Sequence, residues 1–393
     1  MKHACVIHRY GADIAGGSEG HCRSIAERLA QNHDVTILTS TAKDHITWRN
    51  EYPAGLTEAG PVRLRRFPVV RQRSLHRFRE ISEAVFSGGA PESEQEQWFR
   101  ENGPEVPELL AWLERHGRDF DRILFWSFRY YQTFFGLPLV ADRAILVPTA
   151  EEDPVIRFGL LDRFFAKPAG YLFLTPEEQT LVAQHTSQPL APSAVIGIGL
   201  DPPRQRPPRT IASVSQPYVL YLGRIDPNKG CETLLRYFLK RQETAGGREQ
   251  LVMAGPANMP IPDHRSIVRL GYIEEEARDA LLANAAALIV PSPYESLSIV
   301  LLEAWNHGVA ALVNGRCSVL KGQALRSDGA LYYHNYDEFA RGLDRLLDGT
   351  DFARQLGQQG LAYVEREYRW PQVMAKVGRL LLATEGRSVK FKI

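Results

Sequence analysis

At 393 residues the chain is long enough for two or three domains. Lys plus Arg number 47 and Asp plus Glu 46, so the net charge is +1, without the basic excess that a dedicated nucleic-acid binder uses to neutralise phosphates. A 44% hydrophobic share and a 24% charged share argue against disorder over most of the chain, and four scattered cysteines without a CxxC pair argue against a zinc ribbon or a disulfide framework.

No run reaches the roughly 18 apolar residues of a membrane-spanning helix. The N-terminus has only a four-residue apolar run, against about 7–15 in a signal peptide. A reducing, cytoplasmic setting is therefore expected.

The first strand is expected at residues 4–7, followed by a glycine-rich turn at 11–17. Ser18 is expected to cap a helix in which Cys22, Ile25, Ala26 and Leu29 fall at helical spacing. A strand at 35–38 completes a βαβ unit, which implies a parallel sheet covered by helices. Short apolar strands recur at 123–125, 144–147, 171–174 and 194–196. The polar stretch 75–110 reads as an insertion with one or two helices. Residues 201–217 hold five prolines and several arginines and read as a linker.

A second series then begins. Strands are expected at 218–222, 251–254, 267–270, 287–290 and 310–313. Helices are expected at 229–241, 274–284, 298–307, 337–347 and 351–366. Each half has the pattern of a doubly wound α/β domain, which binds ligands outside the carboxyl ends of its strands. The expected division is 1–200, linker 201–217, 218–368, and a C-terminal helix and tail at 369–393 that packs back on the first domain.

Three segments carry chemistry. In Pro291-Ser292-Pro293-Tyr294-Glu295-Ser296-Leu297-Ser298-Ile299-Val300-Leu301-Leu302-Glu303-Ala304 a strand ends in a loop and a helix opens near Ser298. Amides of Ser298, Ile299 and Val300 at a helix start make an anion site suited to a diphosphate. Glu303 lies roughly 7.5 Å further along the helix, so Glu295 and Glu303 could hold hydroxyl groups on either side of a phosphate; two unrelated surface glutamates are the bland alternative. Gly223-Arg224-Ile225-Asp226-Pro227-Asn228-Lys229-Gly230 follows a strand and opens a helix, and its Arg224 and Lys229 suit a departing diphosphate. Gly16-Gly17-Ser18-Glu19 is a glycine turn at a helix start, without the GxGxxG of a dinucleotide fingerprint.

Together these segments resemble the retaining glycosyltransferases of family 4, which have the GT-B fold of two Rossmann-like domains facing across a cleft. The Glu295-to-Glu303 spacing, with seven residues between, is similar to the family's hallmark, and Arg224…Lys229 to its usual companion. The resemblance implies that Glu295 binds the donor sugar's hydroxyls and Glu303 the ribose. It implies that Arg224, Lys229, the glycine turn (Gly16, Gly17) and the Ser298–Val300 amides hold the diphosphate. Gly271, Tyr272 and Ile273 would contact the base. It further implies a front-face reaction without metal or cofactor, the nucleotide diphosphate sugar being the donor substrate. The acceptor would be a glycan, a lipid-linked precursor or a small metabolite. A lipid-linked acceptor would require peripheral attachment at the inner face of the membrane.

One position departs from the family. Val147-Pro148-Thr149-Ala150-Glu151 resembles a segment in which a histidine faces the reacting sugar, and here that position is Glu151. Glu151 could accept a sugar hydroxyl or act as a base toward the acceptor, but offers no imidazole. A catalytically silent nucleotide or glycan binder and a nucleotide-sugar epimerase on the same fold are the alternatives; a nicotinamide oxidoreductase is disfavoured by the missing GxGxxG. Arg63, Arg65, Arg66, Arg71, Arg73, Arg77 and Arg79 could form a patch for an anionic acceptor or membrane, or a solvated strand edge. The basic C-terminal residues pose the same choice. His8, His21 and His307 read as structural.

Overall fold

The computed structural model describes residues 1–14, 16–203 and 213–384. The middle of the expected linker and the basic C-terminal tail lie outside the described residues. The chain divides into two units, one of Met1–Gly197 with the stretch from Met374 on, the other Ile198–Val373. The second unit begins before the proline-rich stretch because residues 200–201 are already pinned within it. Leu200 N–H donates to Tyr368 O at 2.6 Å, and Asn306 Nδ2 donates to Asp201 O at 2.9 Å. No helix among the described residues is long and apolar enough to cross a membrane.

The first unit contains β1 (Lys2–Val6), β2 (Asp34–Ser40), β3 (Gly55–Ala59), β4 (Val62–Phe67), β5 (Arg122–Trp126), β6 (Ala144–Val147), β7 (Gly170–Phe173) and β8 (Ser193–Val195). Their order in the sheet is β3-β4-β2-β1-β5-β6-β7-β8. Central strands such as Ala144–Val147 are buried on both faces, as a parallel sheet covered by helices requires. The β3–β4 hairpin is antiparallel, and the sequence reading missed it. Its edge strand GLTEA carries only one large apolar residue, Leu56, which is exposed, so it shows no buried-strand signature.

The first helix is Gly17–Leu29, and its N-cap is Gly16 rather than Ser18. This start places Glu19 where it can turn back onto residues of the β1 loop. The stretch 75–110 forms helices Leu75–Phe86 and Glu92–Asn102. Trp98 and Phe99 are buried in the unit's main apolar cluster, so this stretch is part of the core rather than an appendage. The arginine cluster disperses into separate roles. Arg63 pairs with Asp34, Arg71 with Glu101 and Glu105, and Arg73 donates to the carbonyls of Asn102, His45 and Ile46. Most of it is a set of ties between elements. Near the C-terminus, Thr384 accepts from Arg122 Nε at 2.9 Å within the same unit.

The second unit contains β9 (Tyr218–Leu222), β10 (Gln250–Ala254), β11 (Ile267–Gly271), β12 (Ala287–Val290), β13 (Ala311–Asn314) and β14 (Ala330–Tyr333). The order β11-β10-β9-β12-β13-β14 is parallel throughout. The chain winds one way from β9 to β11 and the other way from β12 to β14. The switch lies between β9 and β12, and the equivalent switch in the first unit lies between β1 and β5. A doubly wound sheet opens its ligand crevice at such a point, beyond the carboxyl ends of the strands.

Candidate functional site

In the second unit the loops after β9 and β12 flank the switch. The loop after β9 is fixed by short-range geometry. Asp226 Oδ1 accepts from Asn228 N–H at 2.9 Å and caps the turn Pro227–Lys229, while its Oδ2 accepts from Asn258 Nδ2 at 3.1 Å. Ile225 N–H donates to Pro256 O at 2.8 Å, which ties this loop to the one after β10. Gly230 has φ +76°, and a Cβ there would lie 2.3 Å from Pro291 O. Only glycine lets the β9 loop press this closely onto the end of β12.

That contact brings Lys229 to Glu295, with Nζ to Oε1 at 2.9 Å. The pair is partly open, at 30% and 16% side-chain exposure. Arg224, whose side chain is 41% exposed, has Asp226 at 3.6 Å. Lys229 and Glu295 thus meet at the edge of the loop after β12, while Arg224 stands beside Asp226 in the loop after β9, each cation with part of its surface in water.

The helix that follows is Ile299–Asn306. Serine usually caps a helix by accepting from an amide of the first turn. Ser298 does not. Its backbone is left-handed (φ 63°, ψ 77°), it makes no side-chain cap bond, and its buried hydroxyl has no partner among the described residues. A left-handed residue with a Cβ costs roughly 1–2 kcal/mol. Strain, a missing cap and an unpartnered hydroxyl therefore coincide at one helix start. The first-turn amides of Ile299 and Val300 have no intrahelical acceptor by construction, and the positive end of the helix dipole lies there.

Glu303 is the fifth residue of this helix, and its Oε2 forms an ion pair with Arg278. Burial pushes its carboxyl up to about 7, against the pull of Arg278, with Asp279 adding to the rise. Gly271 has φ +64° and its carbonyl accepts from Gly255 N–H at 2.7 Å. Part of the expected base-contacting backbone is thereby engaged within the sheet, which leaves Tyr272, 74% exposed, and Ile273 as the accessible members. Arg224, Lys229, Glu295, Ser298, Ile299, Val300, Glu303, Gly271, Tyr272 and Ile273 all lie at the carboxyl ends of β9, β11 and β12.

The first unit carries the other expected residues. Gly16 and Gly17 open the helix after β1. A Cβ at Gly16 would lie 2.3 Å from Glu19 Oε2, whereas one at Gly17 would meet none of the described residues within 4 Å. Glu19 is buried and accepts from His8 Nε2 at 3.0 Å and from Arg9, which also donates to Lys43 O at 2.6 Å. Burial works against ionisation of Glu19, but His8 and Arg9 hold its carboxyl well below the usual range. Burial lowers His8, so the imidazole stays neutral, stacked 3.8 Å from Tyr130. His21 is likewise structural, between Trp126 Nε1 and Gly197 O.

Glu151 is half-buried in the loop after β6, where Thr149 takes a positive φ of 49°. The loop hangs on Glu178, whose two carboxylate oxygens accept from Ala150 N–H at 2.7 Å and Leu174 N–H at 2.6 Å. Burial pushes Glu178 up to about 8. Arg129 forms an ion pair with Asp153, and despite burial it is held charged by Asp153 and Glu151.

Arg278, Asp226, Asn258, Glu178 and Arg129 were missed by the sequence reading. A helix interior or a turn gives no signal of which distant loop its side chain will meet. Asp226-Pro227 alone was a recognisable cap signature.

Residues 216–349 match the family described as glycosyl transferases group 1. An uncharacterized glycosyltransferase of Methanocaldococcus jannaschii is 28% identical over 168 residues, 39% of this chain and 42% of that protein. Glycogen synthase 1 of a Synechococcus strain is 27% identical over 189 residues, 41% of this chain and 37% of that protein. The match thus spans well under half the length of these relatives.

Solved structures match over nearly the whole chain. Sucrose-phosphate synthase of Thermosynechococcus elongatus has a TM-score of 0.69 at 17% identity, covering 98% of this chain and 100% of that one. An E. coli trehalose-6-phosphate protein bound with UDP-2-fluoro glucose has 0.71 at 13%, covering 97% and 99%. WaaG, a glycosyltransferase of lipopolysaccharide biosynthesis, has 0.64 at 13%, covering 96% and 99%. The two Rossmann-like units match the fold of GT-B glycosyltransferase structures, and the segment that matches the group 1 glycosyltransferase model lies in the second.

Proposed function

We propose that the chain is a retaining, family 4 type glycosyltransferase that moves a sugar from a nucleotide diphosphate sugar to an acceptor hydroxyl. The observation that carries the reading is the strained, uncapped helix start at Ser298, beside the half-open Lys229–Glu295 pair and Arg224. Such a start leaves amides and a dipole for an anion, and the loop after β9, tied to the preceding loop through Lys229 and Glu295, offers two cations.

In this reading the Ser298–Val300 amides, Arg224 and Lys229 hold the diphosphate. Lys229 exchanges Glu295 for phosphate, and Glu295 is released to the donor sugar's hydroxyls. Glu303 takes the ribose, and Tyr272 and Ile273 flank the base. The anomeric C–O bond to phosphate breaks, the acceptor oxygen bonds to the same face of that carbon, and its proton passes to a diphosphate oxygen. Charge grows on the leaving diphosphate, where fixed cations and amides stabilise it most. They do the work that a divalent ion does elsewhere, so we read the enzyme as independent of metal and cofactor. The acceptor is a glycan, a lipid-linked precursor or a small metabolite.

The test is a thermal-shift screen with UDP, GDP, dTDP, their sugar conjugates and NAD. A ligand at about 100 times its Kd adds roughly 2.7 kcal/mol to the folded state. One nucleoside diphosphate should stabilise the wild type, and Arg224→Ala should remove the shift. No shift, or a shift with NAD alone, overturns the reading.

A further inference from the structure

We infer that Arg278 is a positioning residue for ribose recognition, fixing the Glu303 carboxylate so that one oxygen stays turned to the nucleotide's hydroxyls. The inference rests on the reading of the second unit as the nucleotide-binding unit.

Arg278 lies on the helix Glu275–Asn284, which follows β11, and Glu303 lies on the helix that follows β12. The guanidinium engages Glu303 Oε2. Among the described residues the structure gives Oε1 no hydrogen-bond partner. A carboxylate has about four acceptor positions, so an ion pair at one oxygen leaves the other able to take hydroxyl donors. Lysine or arginine pairing with both oxygens would have closed the site; this one-sided pairing does not.

The pair also decides the charge of Glu303. Facing it from the Glu275–Asn284 helix are Arg278, Asp279 and Glu275. At the end of its own helix His307 lies 3.6 Å from Asp279. On the side toward the helix Thr350–Glu367, Trp305 packs against Gly360 and brings no charge. Arg278 is therefore the cation that opposes desolvation and two acidic neighbours. Without it the carboxyl protonates more readily, and a protonated oxygen no longer accepts on every side.

The experiment measures binding of UDP, or GDP if that base binds better, and of its 2′,3′-dideoxy counterpart, from pH 6 to pH 9. The dideoxy ligand keeps the diphosphate and its titration but lacks the ribose hydroxyls, so the ratio of the two affinities isolates the ribose contribution. In the wild type that ratio should fall as pH drops through about 7, where Glu303 takes up its proton. Arg278→Ala should weaken the ribose ligand about tenfold at neutral pH, change the dideoxy ligand less than about twofold, and move the midpoint of the ratio upward. Arg278→Lys should recover most of the loss.

Equal losses for both ligands would mean a merely structural role, and no loss would mean no role; either overturns the inference. A wild type that binds neither UDP nor GDP sinks the parent reading first. A wild type that binds, with an Arg278→Ala profile superimposable on it, sinks only this one.

Discussion

The two units open with the same device, a parallel strand followed by a glycine turn and a helix, yet they use it differently. After β1, the side chains of His8, Arg9 and Glu19 turn inward and satisfy one another in a buried network. After β9, Arg224 and Lys229 remain partly exposed, and the partner of Lys229 comes from a different loop, after β12. The difference lies in where the counter-charge originates. Glu19 sits within the first turn of the adjacent helix, so it closes the network locally and permanently. Glu295 sits across the switch point on an independent loop, so the pair can part when an anion arrives. In the proposed function the self-neutralising turn after β1 is scaffold, and Lys229, neutralised from a neighbouring loop, is a handle for ligand.

The largest effect that can break this contrast is Glu19→Ala. It strands Arg9 and His8 in a buried place, and removing one partner of a buried pair typically costs about 3–5 kcal/mol. Urea unfolding should show that loss. Lys229→Ala removes one partner of a partly exposed pair and should cost under about 1 kcal/mol. Equal losses at both positions would erase the distinction between scaffold and handle.

Glu178 offers an intermediate effect. Its folded carboxyl sits near 8, above the ordinary value of 4.5 from which an unfolded chain would titrate. A carboxyl raised by folding favours the protonated native state, so its contribution is complete below about pH 4.5 and is lost as pH rises through 8. Stability should therefore fall between pH 5 and pH 8. Glu178→Gln should remove that slope, and it should cost about 1–3 kcal/mol at low pH because one of the Ala150 and Leu174 amides loses its acceptor. Urea midpoints across pH check both; an unchanged slope would mean that Glu178 titrates normally.

How much was legible in sequence follows from the range of each interaction. Buried parallel strands such as Tyr218–Leu222 and Ala287–Val290 announce themselves as short apolar runs, and their bounds fall where the sequence placed them. The loops at their carboxyl ends were legible too, because Gly, Pro and Ser there serve local geometry. The β3–β4 hairpin was hidden by its polar edge, and Ser18 was misread as a cap because the demand of Glu19 for His8 and Arg9 sets the helix start at Gly16. Arg278 and Glu178 were hidden for the same reason. Each acts across 25 or more residues, Arg278 on Glu303 and Glu178 on Ala150, and a single sequence carries no trace of such a contact.

The smallest effect separates strain kept for function from strain tolerated by the fold. Ser298→Ala keeps the left-handed backbone and removes only a buried hydroxyl that has no partner among the described residues. Without a ligand that hydroxyl gains no hydrogen bond from the described residues, so it adds little to stability. The variant should be as stable as the wild type or slightly more so, by up to about 1 kcal/mol. If the hydroxyl is held ready for a diphosphate oxygen, the same variant should bind the nucleoside diphosphate about five- to tenfold more weakly. Opposite signs on stability and affinity are what a group reserved for a ligand produces. Matched losses in both would make Ser298 an ordinary structural residue, and the helix start after β12 would then resemble the self-contained turn after β1.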